Sequence, residues 1–592
     1  MQKQRNRGQD GAGIATIKLG VEPGNKFISR KRSNAPNYLS DLFKQVYWHF
    51  ENLPPEQLND AEWLKANKPY AGEVLLGHLR YGTHGDNSIE TCHPYLRQSN
   101  WITRNLVLAG NFNLTNVDEL ITQLFELGQY PKEKSDTVTV LEKVGHFLDE
   151  EVERLFQWFK AEEEDNKIIN QLMFDKLDVN RVLTRASKKF DGGYVMGGII
   201  GHGDAFIMRD PAGIRPAFFY HDDEIFVAAS ERPAIQTTLD VNFESIKEVV
   251  PGESIVIKHN GQIIKKRFAK EKPQLRPCSF ERIYFSRGTD RDIYLERKKL
   301  GELLADKVLE AVDYDFENTV FSFIPNTAET AFLGMIQGIE KKLNDIKLKK
   351  ILALKDNENK AEKLRQIMTL SPRVEKIVVK DAKLRTFIAD TSSRGDMISH
   401  VYDVTYGIVR NNIDTLVLMD DSIVRGATMK DSIIRIVARL KPKKIVIVSS
   451  APQIRYPDCY GIDMSKLNEF VAFRALIELL RETKQEHLLQ EAYERAKKQM
   501  SLPTSQITNQ LQAVYDLFPY KTISKKIGEL LTPPNIEPEV MVIYQDISAV
   551  ATACPNNNGD WYFSGNYPTP GGNKVVNKAF IYFMEGIDER AY

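Results

Sequence analysis

The chain has 592 residues, 42% of them hydrophobic and 27% charged, which are ordinary proportions for a globular protein. Its 80 Lys and Arg residues balance 80 Asp and Glu residues, so the net charge gives no reason to expect nucleic acid or a membrane as a partner. Its apolar runs are far shorter than the roughly 18 residues that span a bilayer, no apolar signal segment opens the chain, and four scattered cysteines indicate neither a disulfide framework nor a zinc site. We therefore expect a cytoplasmic protein of several domains.

Residues 1–268 change their hydrophobic period twice. Strand-like alternation over 1–115 gives way to a helical period over 135–190, and short strands with turn signals follow over 191–258. Strands, then helices, then strands again predict an α+β layered domain.

A stretch that contains Pro and Lys, residues 270–279, is the expected linker to a second domain. Beyond it, strand-like runs alternate with amphipathic helices, as in "DTLVLMDD", "KDSIIRIVARL" and "KKIVIVSS". This alternation predicts an α/β domain over residues 279–500, with parallel strands covered by helices. Residues 501–592 are expected to form a C-terminal helical and tail segment that packs on the other domains.

The strongest chemical signal is "LVLMDDSIVRGATMKDS", an apolar run that ends in Asp420 and Asp421 and continues through a short loop into a helix. Two carboxylates at the carboxyl end of a parallel strand can accept hydrogen bonds from ribose hydroxyls or hold Mg²⁺. Loop amides, the hydroxyls of Ser422 and Thr428 and the helix N-terminus can cradle a phosphate, to which Gly426 allows a close approach. A buried strand with helix-capping residues at its end is the ordinary alternative, but this order of residues favours a site for a phosphorylated sugar.

This stretch resembles the phosphoribosyltransferase signature in the form "VDDSIVRGTT" of the amidophosphoribosyltransferases. Segments similar to that family's occur at "PCSFERIYFSR" and "APQIRYPDCYGIDM", and segments similar to its glutaminase half occur at "RDPAGIRP" and "AASERPA". The matches follow the family order over nearly the whole chain. The family consists of glutamine-dependent enzymes of the first committed step of purine synthesis.

The resemblance implies a type II, N-terminal-nucleophile glutaminase sandwich followed by an α/β type I phosphoribosyltransferase domain. It implies transfer of ammonia, taken from glutamine in the complete enzyme, to C1 of phosphoribosyl pyrophosphate, which releases pyrophosphate and forms 5-phosphoribosylamine. That displacement needs in-line placement, Mg²⁺ and exclusion of water, but no protein nucleophile. Purine nucleotides are the expected feedback inhibitors, and a homo-oligomer is expected.

In the phosphoribosyltransferase half, the resemblance implies that the acidic pair holds Mg²⁺ and that three segments contact phosphoribosyl pyrophosphate. The expected contacts are Asp420, Asp421, Ser422, Arg425, Gly426, Ala427 and Thr428, with Thr327 from "FIPNTAETA" and Arg385 from "KLRTFI". A family serine in the second segment is Ala328 here, so Thr327 and backbone groups are expected to serve in its place.

In the glutaminase half, "RNRGQDGAGI", "GHLRYGTHG", "LAGNFNLTN" and "KSDT" resemble family segments. The resemblance implies that Arg80 pairs with the α-carboxylate of glutamine, that Asp136 holds its α-ammonium, and that Asn111 with a backbone N–H stabilises the oxyanion. Each residue alone has an ordinary structural explanation, but their order together favours a glutamine site. Where the family has Asn-Gly, this chain has Asn111-Phe112, which adds bulk at the oxyanion position.

Type II amidotransferases attack glutamine with the thiol of an N-terminal cysteine, whose α-amine acts as the base. Residue 1 here is Met1, and the first cysteine is Cys92, which has no free α-amine and is not the expected substitute. The sequence therefore predicts a glutaminase domain without its first strand and nucleophile, an unfilled strand position beside residues 11–19, and no glutamine hydrolysis by the family mechanism.

Some family members carry a four-cysteine iron–sulfur cluster. Cys278 matches one ligand position, but Tyr562 occupies another, so we predict no cluster.

Three interpretations stay open. The chain is an amidophosphoribosyltransferase whose Cys-bearing segment lies upstream, an enzyme that uses free ammonia only, or a non-catalytic sensor of phosphoribosyl pyrophosphate or a nucleotide. The last two have a dead glutaminase domain.

Overall fold

The structure, a computed structural model, describes residues 1–82, 88–131, 133–163, 165–270, 272–354, 359–380, 402–462 and 464–591. The strands of the first half are β1 (Gly11–Ile17), β2 (Ile28–Ser33), β3 (Val74–Arg80), β4 (Tyr95–Arg97), β5 (Leu106–Leu114), β6 (Gly192–Ile200), β7 (Ala205–Arg209), β8 (Phe218–His221), β9 (Phe226–Ala229), β10 (Lys247–Glu248), β11 (Glu253–Ile257) and β12 (Ile263–Arg267). The helices of this half are α1 (Tyr38–Tyr47), α2 (Pro55–Leu58), α3 (Ala61–Asn67), α4 (Val117–Glu126), α5 (Asp136–Lys160), α6 (Asn166–Lys176), α7 (Val179–Ala186) and α8 (Arg232–Leu239).

The first half contains two larger antiparallel sheets, one of three strands in the order β2-β1-β3 and one of six in the order β12-β11-β7-β6-β5-β4. Helix α5 packs on the larger sheet because its apolar residues recur every three or four positions, and Val140, Val144 and Leu148 are all buried there. The hydroxyl of Ser135 begins this helix by accepting a hydrogen bond of 3.2 Å from the Val138 amide.

Strand β1 has a partner on both of its edges. It pairs antiparallel with β2 on one side and with β3 on the other, along almost its entire length. The prediction of an unfilled strand position beside residues 11–19 is therefore wrong. Apolar alternation shows that a strand is buried, but pairing between strands far apart in sequence decides which strand is central.

The strands of the second half are β13 (Thr319–Phe323), β14 (Arg373–Val374), β15 (Val378–Lys380), β16 (Tyr402–Val404), β17 (Thr415–Asp420), β18 (Lys444–Ser449) and β19 (Glu539–Tyr544). Its helices are α9 (Arg291–Glu302), α10 (Ala305–Ala311), α11 (Glu329–Leu352), α12 (Lys360–Thr369), α13 (a wide turn at Met429–Ile434 that continues through Arg435–Ala438), α14 (Val471–Glu482), α15 (Glu486–Gln499), α16 (Gln512–Tyr515), α17 (Tyr520–Leu531), α18 (Ile547–Ala553), α19 (Trp561–Ser564) and α20 (Pro570–Glu585).

A five-stranded sheet in the order β14-β13-β17-β18-β19 forms the centre of this half, and all its pairs are parallel. In β18, Ile445 and Ile447 pack into the core on one face, and Val446 and Val448 pack into the core on the other. A strand buried on both faces has the continuous apolar run seen in its sequence. The predicted parallel sheet is confirmed.

Residues 501–592 contribute more than helices and a tail. Strand β19 pairs parallel with β18 and extends the sheet by one strand, so the prediction for this segment needs correction. The run "EVMVIY" is too short to be told from a buried helix turn by its pattern, and only the long-range pairing with β18 makes it a strand. The Asp191 carboxylate of the first half accepts a 2.9 Å hydrogen bond from the Gly571 amide in the first turn of α20.

Two observations concern the cysteines and the helices. All four cysteines are buried and free of disulfides. Among the described residues, no helix is long and apolar enough to cross a bilayer.

Candidate active site

Strand β17 ends at Asp420, so Asp420 and Asp421 lie at the carboxyl edge of the parallel sheet. Asp420 Oδ1 accepts a 2.9 Å hydrogen bond from the Asp421 amide, and Asp421 Oδ1 accepts one of 2.8 Å from the Ser422 hydroxyl. Burial raises the pKa of both carboxyls, that of Asp421 to about 6, and the charge of Asp421 raises the pKa of Asp420 further. Two acids held side by side in this way favour a bound cation or hydroxyl donors.

The loop after the pair depends on Gly426. Its φ is +77°, in the left-handed region that side chains disfavour, and a Cβ there would lie 2.5 Å from Leu531 Cδ2 at the end of α17. Its carbonyl accepts a 2.9 Å hydrogen bond from the Lys430 amide in the first turn of α13. Glycine is therefore needed to pass the loop between α17 and the start of α13.

The remaining predicted loop residues lie at the N-terminus of α13. Ala427 and Thr428 are exposed, and the Thr428 side chain does not cap the helix although it occupies the N-cap position. The Arg425 guanidinium forms a 2.7 Å ion pair with Glu469. Exposed amides, a hydroxyl and a helix N-terminus together can receive an anion.

The loop between β13 and α11 brings Thr327 to the pair, where its hydroxyl lowers the pKa of the Asp421 carboxyl against the larger effect of burial. The Ile324 amide donates 2.8 Å to the Met419 carbonyl and fixes this loop on β17. Ala328 is fully buried and adds no polar group. The predicted contact Arg385 lies outside the described residues.

Sequence reasoning missed Arg297, a buried cation of α9. Its guanidinium donates to the carbonyls of Arg282, Tyr284 and Ser286 at 2.8, 3.1 and 2.7 Å, and the residue is only 5% exposed. Burial lowers the pKa of Arg297 to about 10, and the charge of Asp421 opposes that shift. The acidic pair therefore has a fixed positive charge nearby.

Two tyrosines near the pair were also missed. Burial raises the pKa of Tyr284 and raises that of Tyr402 to about 12, and the charges of Asp420 and Asp421 add to both shifts. Their hydroxyls stay protonated at neutral pH and can donate hydrogen bonds. Tyr284 belongs to "PCSFERIYFSR", but nothing local to that segment signals its proximity to residues far along the chain.

The three predicted glutamine-site residues line one cavity of about 1070 Å³. Arg80 ends β3 and is 5% exposed, Asn111 lies on β5, and Asp136 is the first residue of α5. Asp136 Oδ1 accepts a 2.6 Å hydrogen bond from the Thr137 amide, and burial raises its pKa to about 6. A half-buried carboxyl with a raised pKa gains from a cationic ligand.

A histidine pair that the sequence did not reveal supports the backbone before Asn111. The rings of His78 and His93 are stacked with centroids 4.3 Å apart. His78 Nε2 lies 3.0 Å from the Gly110 carbonyl, and His93 Nδ1 accepts a 3.3 Å hydrogen bond from the Gly110 amide. Burial lowers the pKa of both, that of His78 to about 4, so both rings are neutral. The ring of Phe112, the predicted bulky residue, packs against His93 at a centroid distance of 6.0 Å.

No cysteine lines this cavity within the described residues. Cys92 is fully buried, with Sγ 4.0 Å from the Ser33 carbonyl of β2 and 3.9 Å from the Ser88 carbonyl. Burial also raises the pKa of its thiol, which disfavours the nucleophilic thiolate. Cys92 is therefore poorly placed to act on a ligand held by Arg80.

A buried ion-pair cluster joins the two halves of the chain. Arg7 donates to both carboxylate oxygens of Glu281, at 2.6 and 3.0 Å, and Arg215 donates to Oε1 at 3.3 Å. Burial opposes ionisation of Glu281, but the two cations lower its pKa to about 2. The glycine-rich segment at the start of the chain is thus anchored on the second half.

At the position where the resemblance places cluster ligands, Cys278 Sγ lies 3.4 Å from the Tyr562 hydroxyl. Both side chains are buried. The absence of an iron–sulfur cluster stays a prediction.

The fold has solved counterparts. A glutamine phosphoribosylpyrophosphate amidotransferase from Bacillus subtilis, complexed with ADP and GMP, matches with a TM-score of 0.59 and 21% identity, over 96% of this chain and 93% of that one. A structure described as the allosteric regulatory enzyme of purine biosynthesis matches with a TM-score of 0.60 and 21% identity, over 96% and 91% of the two chains. The chain therefore has the fold of the phosphoribosyl pyrophosphate amidotransferases.

Curated relatives agree with the fold. The amidophosphoribosyltransferase of Pasteurella multocida is 30% identical over 480 residues, which cover 79% of this chain and 78% of the relative. That of Escherichia coli is 28% identical over 489 residues, with coverages of 81% and 80%. No family model matches the chain. The chain belongs to the amidophosphoribosyltransferase family, the transferases that begin purine biosynthesis, and this membership does not favour the non-catalytic alternative.

Proposed function

We propose that this chain transfers ammonia to C1 of phosphoribosyl pyrophosphate, releasing pyrophosphate and forming 5-phosphoribosylamine, at the site around Asp420 and Asp421. The observation that carries the proposal is the acidic pair at the end of β17, followed by the Gly426 loop and the N-terminus of α13. This arrangement suits a sugar that carries hydroxyls and a phosphate a few ångströms apart.

Different residues of the site bind different groups of the substrate. The carboxylates of Asp420 and Asp421 accept hydrogen bonds from the ribose hydroxyls, and the loop amides with the hydroxyls of Ser422 and Thr428 hold the 5-phosphate. Thr327 is the expected contact on the pyrophosphate side. The pair, as two adjacent oxygen ligands with raised pKa values, fits Mg²⁺. Bound there, Mg²⁺ would neutralise charge on the pyrophosphate leaving group.

We assign the cavity of Arg80, Asn111 and Asp136 to glutamine. The guanidinium of Arg80 suits the α-carboxylate, the Asp136 carboxyl suits the α-ammonium, and Asn111 is the oxyanion donor. We also assign residues 1–268 to a type II glutaminase domain. Residues 279–500 form a type I phosphoribosyltransferase domain, to whose sheet β19 adds one strand. The separate antiparallel and parallel sheets support this division.

Purine nucleotides are proposed regulators, since the Bacillus subtilis counterpart is complexed with ADP and GMP. A homo-oligomer remains the expected assembly. The cytoplasm remains the expected compartment, which four unpaired cysteines suit.

The direct test is release of pyrophosphate from phosphoribosyl pyrophosphate by the purified chain with ammonium chloride and Mg²⁺. We expect release that requires both ammonia and Mg²⁺. Calorimetric binding of phosphoribosyl pyrophosphate without any release would instead support the sensor interpretation.

The glutamine site makes a prediction of its own, with opposite effects on binding and stability. Asp136→Asn should abolish calorimetric binding of glutamine, because the amide cannot pair with the α-ammonium. It should also raise the thermal unfolding midpoint at pH 8. The folded-state pKa of about 6 lies above the usual value, so the ionised carboxyl costs stability as pH rises through that range, by about 1–3 kcal/mol. The gain should therefore vanish towards pH 4.

Asp118→Asn, an exposed residue of the same cavity, is the control and should change neither property. Unchanged glutamine binding by Asp136→Asn would contradict the assignment.

A further inference from the structure

Two hairpin turns of the six-stranded sheet meet at a cluster of residues that neither site uses. The turn between β6 and β7 carries His202 and Asp204, and the turn between β11 and β12 carries Lys258 and His259. His202 and Asp204 have fully buried side chains, and that of His259 is 18% exposed. Between His202 and Asp204, Gly203 has a φ of +112°, and a Cβ there would lie 2.1 Å from a side-chain carbon of Leu19. Glycine thus lets this tight turn approach its neighbours.

The two imidazoles face one carboxylate. His202 Nε2 lies 3.2 Å from Asp204 Oδ2, and His259 Nδ1 lies 3.3 Å from Asp204 Oδ1. One ligand atom from each of the three residues lies within 4.8 Å of the others. Tetrahedral ligands on bonds of about 2.0–2.1 Å are about 3.3 Å apart, so separations of up to 4.8 Å would have to shorten to centre an ion among the three residues.

The imidazole of His202 is buried without hydrogen-bond partners among the described residues. Neither of its ring nitrogens has a hydrogen-bond partner in the described part of the chain, because the approach to Asp204 lacks hydrogen-bonding geometry. A buried imidazole in that state is costly.

Asp204 retains capacity for an ion. The His259 amide donates to Oδ1 at 2.9 Å, and the Lys258 ammonium donates to Oδ2. His259 Nδ1 also hydrogen-bonds Oδ1 at 3.3 Å, so of about four lone-pair directions the one that faces His202 remains, and an ion would replace the Nδ1 contact.

An outer partner orients the second imidazole. Asp175 Oδ1 of α6 lies 3.4 Å from His259 Nε2, which leaves Nδ1 as the nitrogen that faces Asp204. A carboxylate behind a histidine is the usual arrangement around protein-bound zinc. Lys258 also donates to the carbonyls of Phe174 and Leu177, so the cluster lies against the C-terminal end of α6.

We propose that His202, Asp204 and His259 form a binding site for one divalent cation of the zinc class, which fastens α6 to the two hairpin turns. Two imidazoles and one carboxylate suit Zn²⁺, Co²⁺ and Ni²⁺ better than Mg²⁺. Water supplies the fourth position. The Lys258 ammonium reduces the affinity because it places a like charge beside the ion.

The test is a titration of the chelator-treated chain with Co²⁺, followed by its visible absorption. We expect one equivalent with the intense bands of four-coordinate nitrogen and oxygen ligation, which distinguishes this site from an oxygen-only site at Asp420 and Asp421. His202→Gln and His259→Gln should each lose these bands. His221→Gln, at an exposed histidine on β8, should keep them. Zn²⁺ should raise the unfolding midpoint of the wild type and of His221→Gln only.

The variant Lys258→Met distinguishes an effect on metal binding from an effect on folding. Removing the ammonium should tighten Co²⁺ binding by about tenfold, a change that a purely structural role of Lys258 does not produce. The proposal is overturned if the wild type shows no four-coordinate bands at millimolar Co²⁺, or if folded His202→Gln and His259→Gln keep them. Should both histidine variants fail to fold, unchanged or weaker binding by Lys258→Met overturns it.

Discussion

Replacing Asp420 and Asp421 together with Asn should abolish phosphoribosyl transfer, with pyrophosphate release from ammonia falling by roughly 10³-fold or more. Asn cannot supply the charge that holds a divalent cation, and it presents donors where the ribose hydroxyls need acceptors. Steady-state rates at saturating ammonium and phosphoribosyl pyrophosphate measure the effect.

The fold should survive this change. Both carboxyls have raised pKa values in the folded chain, so their ionised forms cost stability as pH rises above the ordinary range for aspartate. The double variant should therefore unfold at the same temperature as the wild type near pH 4 and at a higher one at pH 8. Asp431→Asn, at an exposed carboxylate on α13, is the matched control and should keep its rate. A double variant that turns over normally would remove the pair from the mechanism.

The second large effect concerns the nitrogen donor. The polypeptide Met1–Tyr592 should form product from ammonia, whereas its rate with glutamine should be at most about 1% of that rate, because no thiol lines the glutamine cavity in the described residues. Pyrophosphate release with each donor, and glutamate formation with glutamine, measure the difference.

Cys92→Ser is the informative variant for this result. Its thiol faces β1 and β2, so the substitution should leave the ammonia-dependent rate unchanged. Comparable rates with the two donors would show that another nucleophile serves glutamine. Loss of that glutamine activity in Cys92→Ser would identify it.

The acidic-pair loop was predictable because its signal is local. The apolar run, two acids, a glycine and a helix follow one another in sequence, and the structure places them in that order at the edge of the sheet. The resemblance also selected Arg80, Asn111 and Asp136, which line one cavity although 56 residues separate the first from the last.

What the sequence did not reveal depends on contacts between distant segments. Arg297 and Tyr402 reach the acidic pair from other elements, and His78 meets His93 across two segments that carry no shared pattern. The prediction that β1 lacks a neighbouring strand was wrong for the same reason. Apolar alternation shows which face of a strand is buried, but it does not show which strands pair with it.

The Arg7–Glu281–Arg215 cluster holds the two halves together without help from the linker. Residues 272–275 are exposed, whereas Glu281 is a buried anion whose balancing charges both come from the first half. Removing Arg7 and Arg215 by substitution would leave this carboxylate buried without a counter-charge, at a cost of about 3–5 kcal/mol. The halves therefore adhere through their interface rather than through the peptide that joins them. A nick or an insertion at 272–275 would leave a single particle, and this is the natural place to open the chain for a circular permutation or to attach a label.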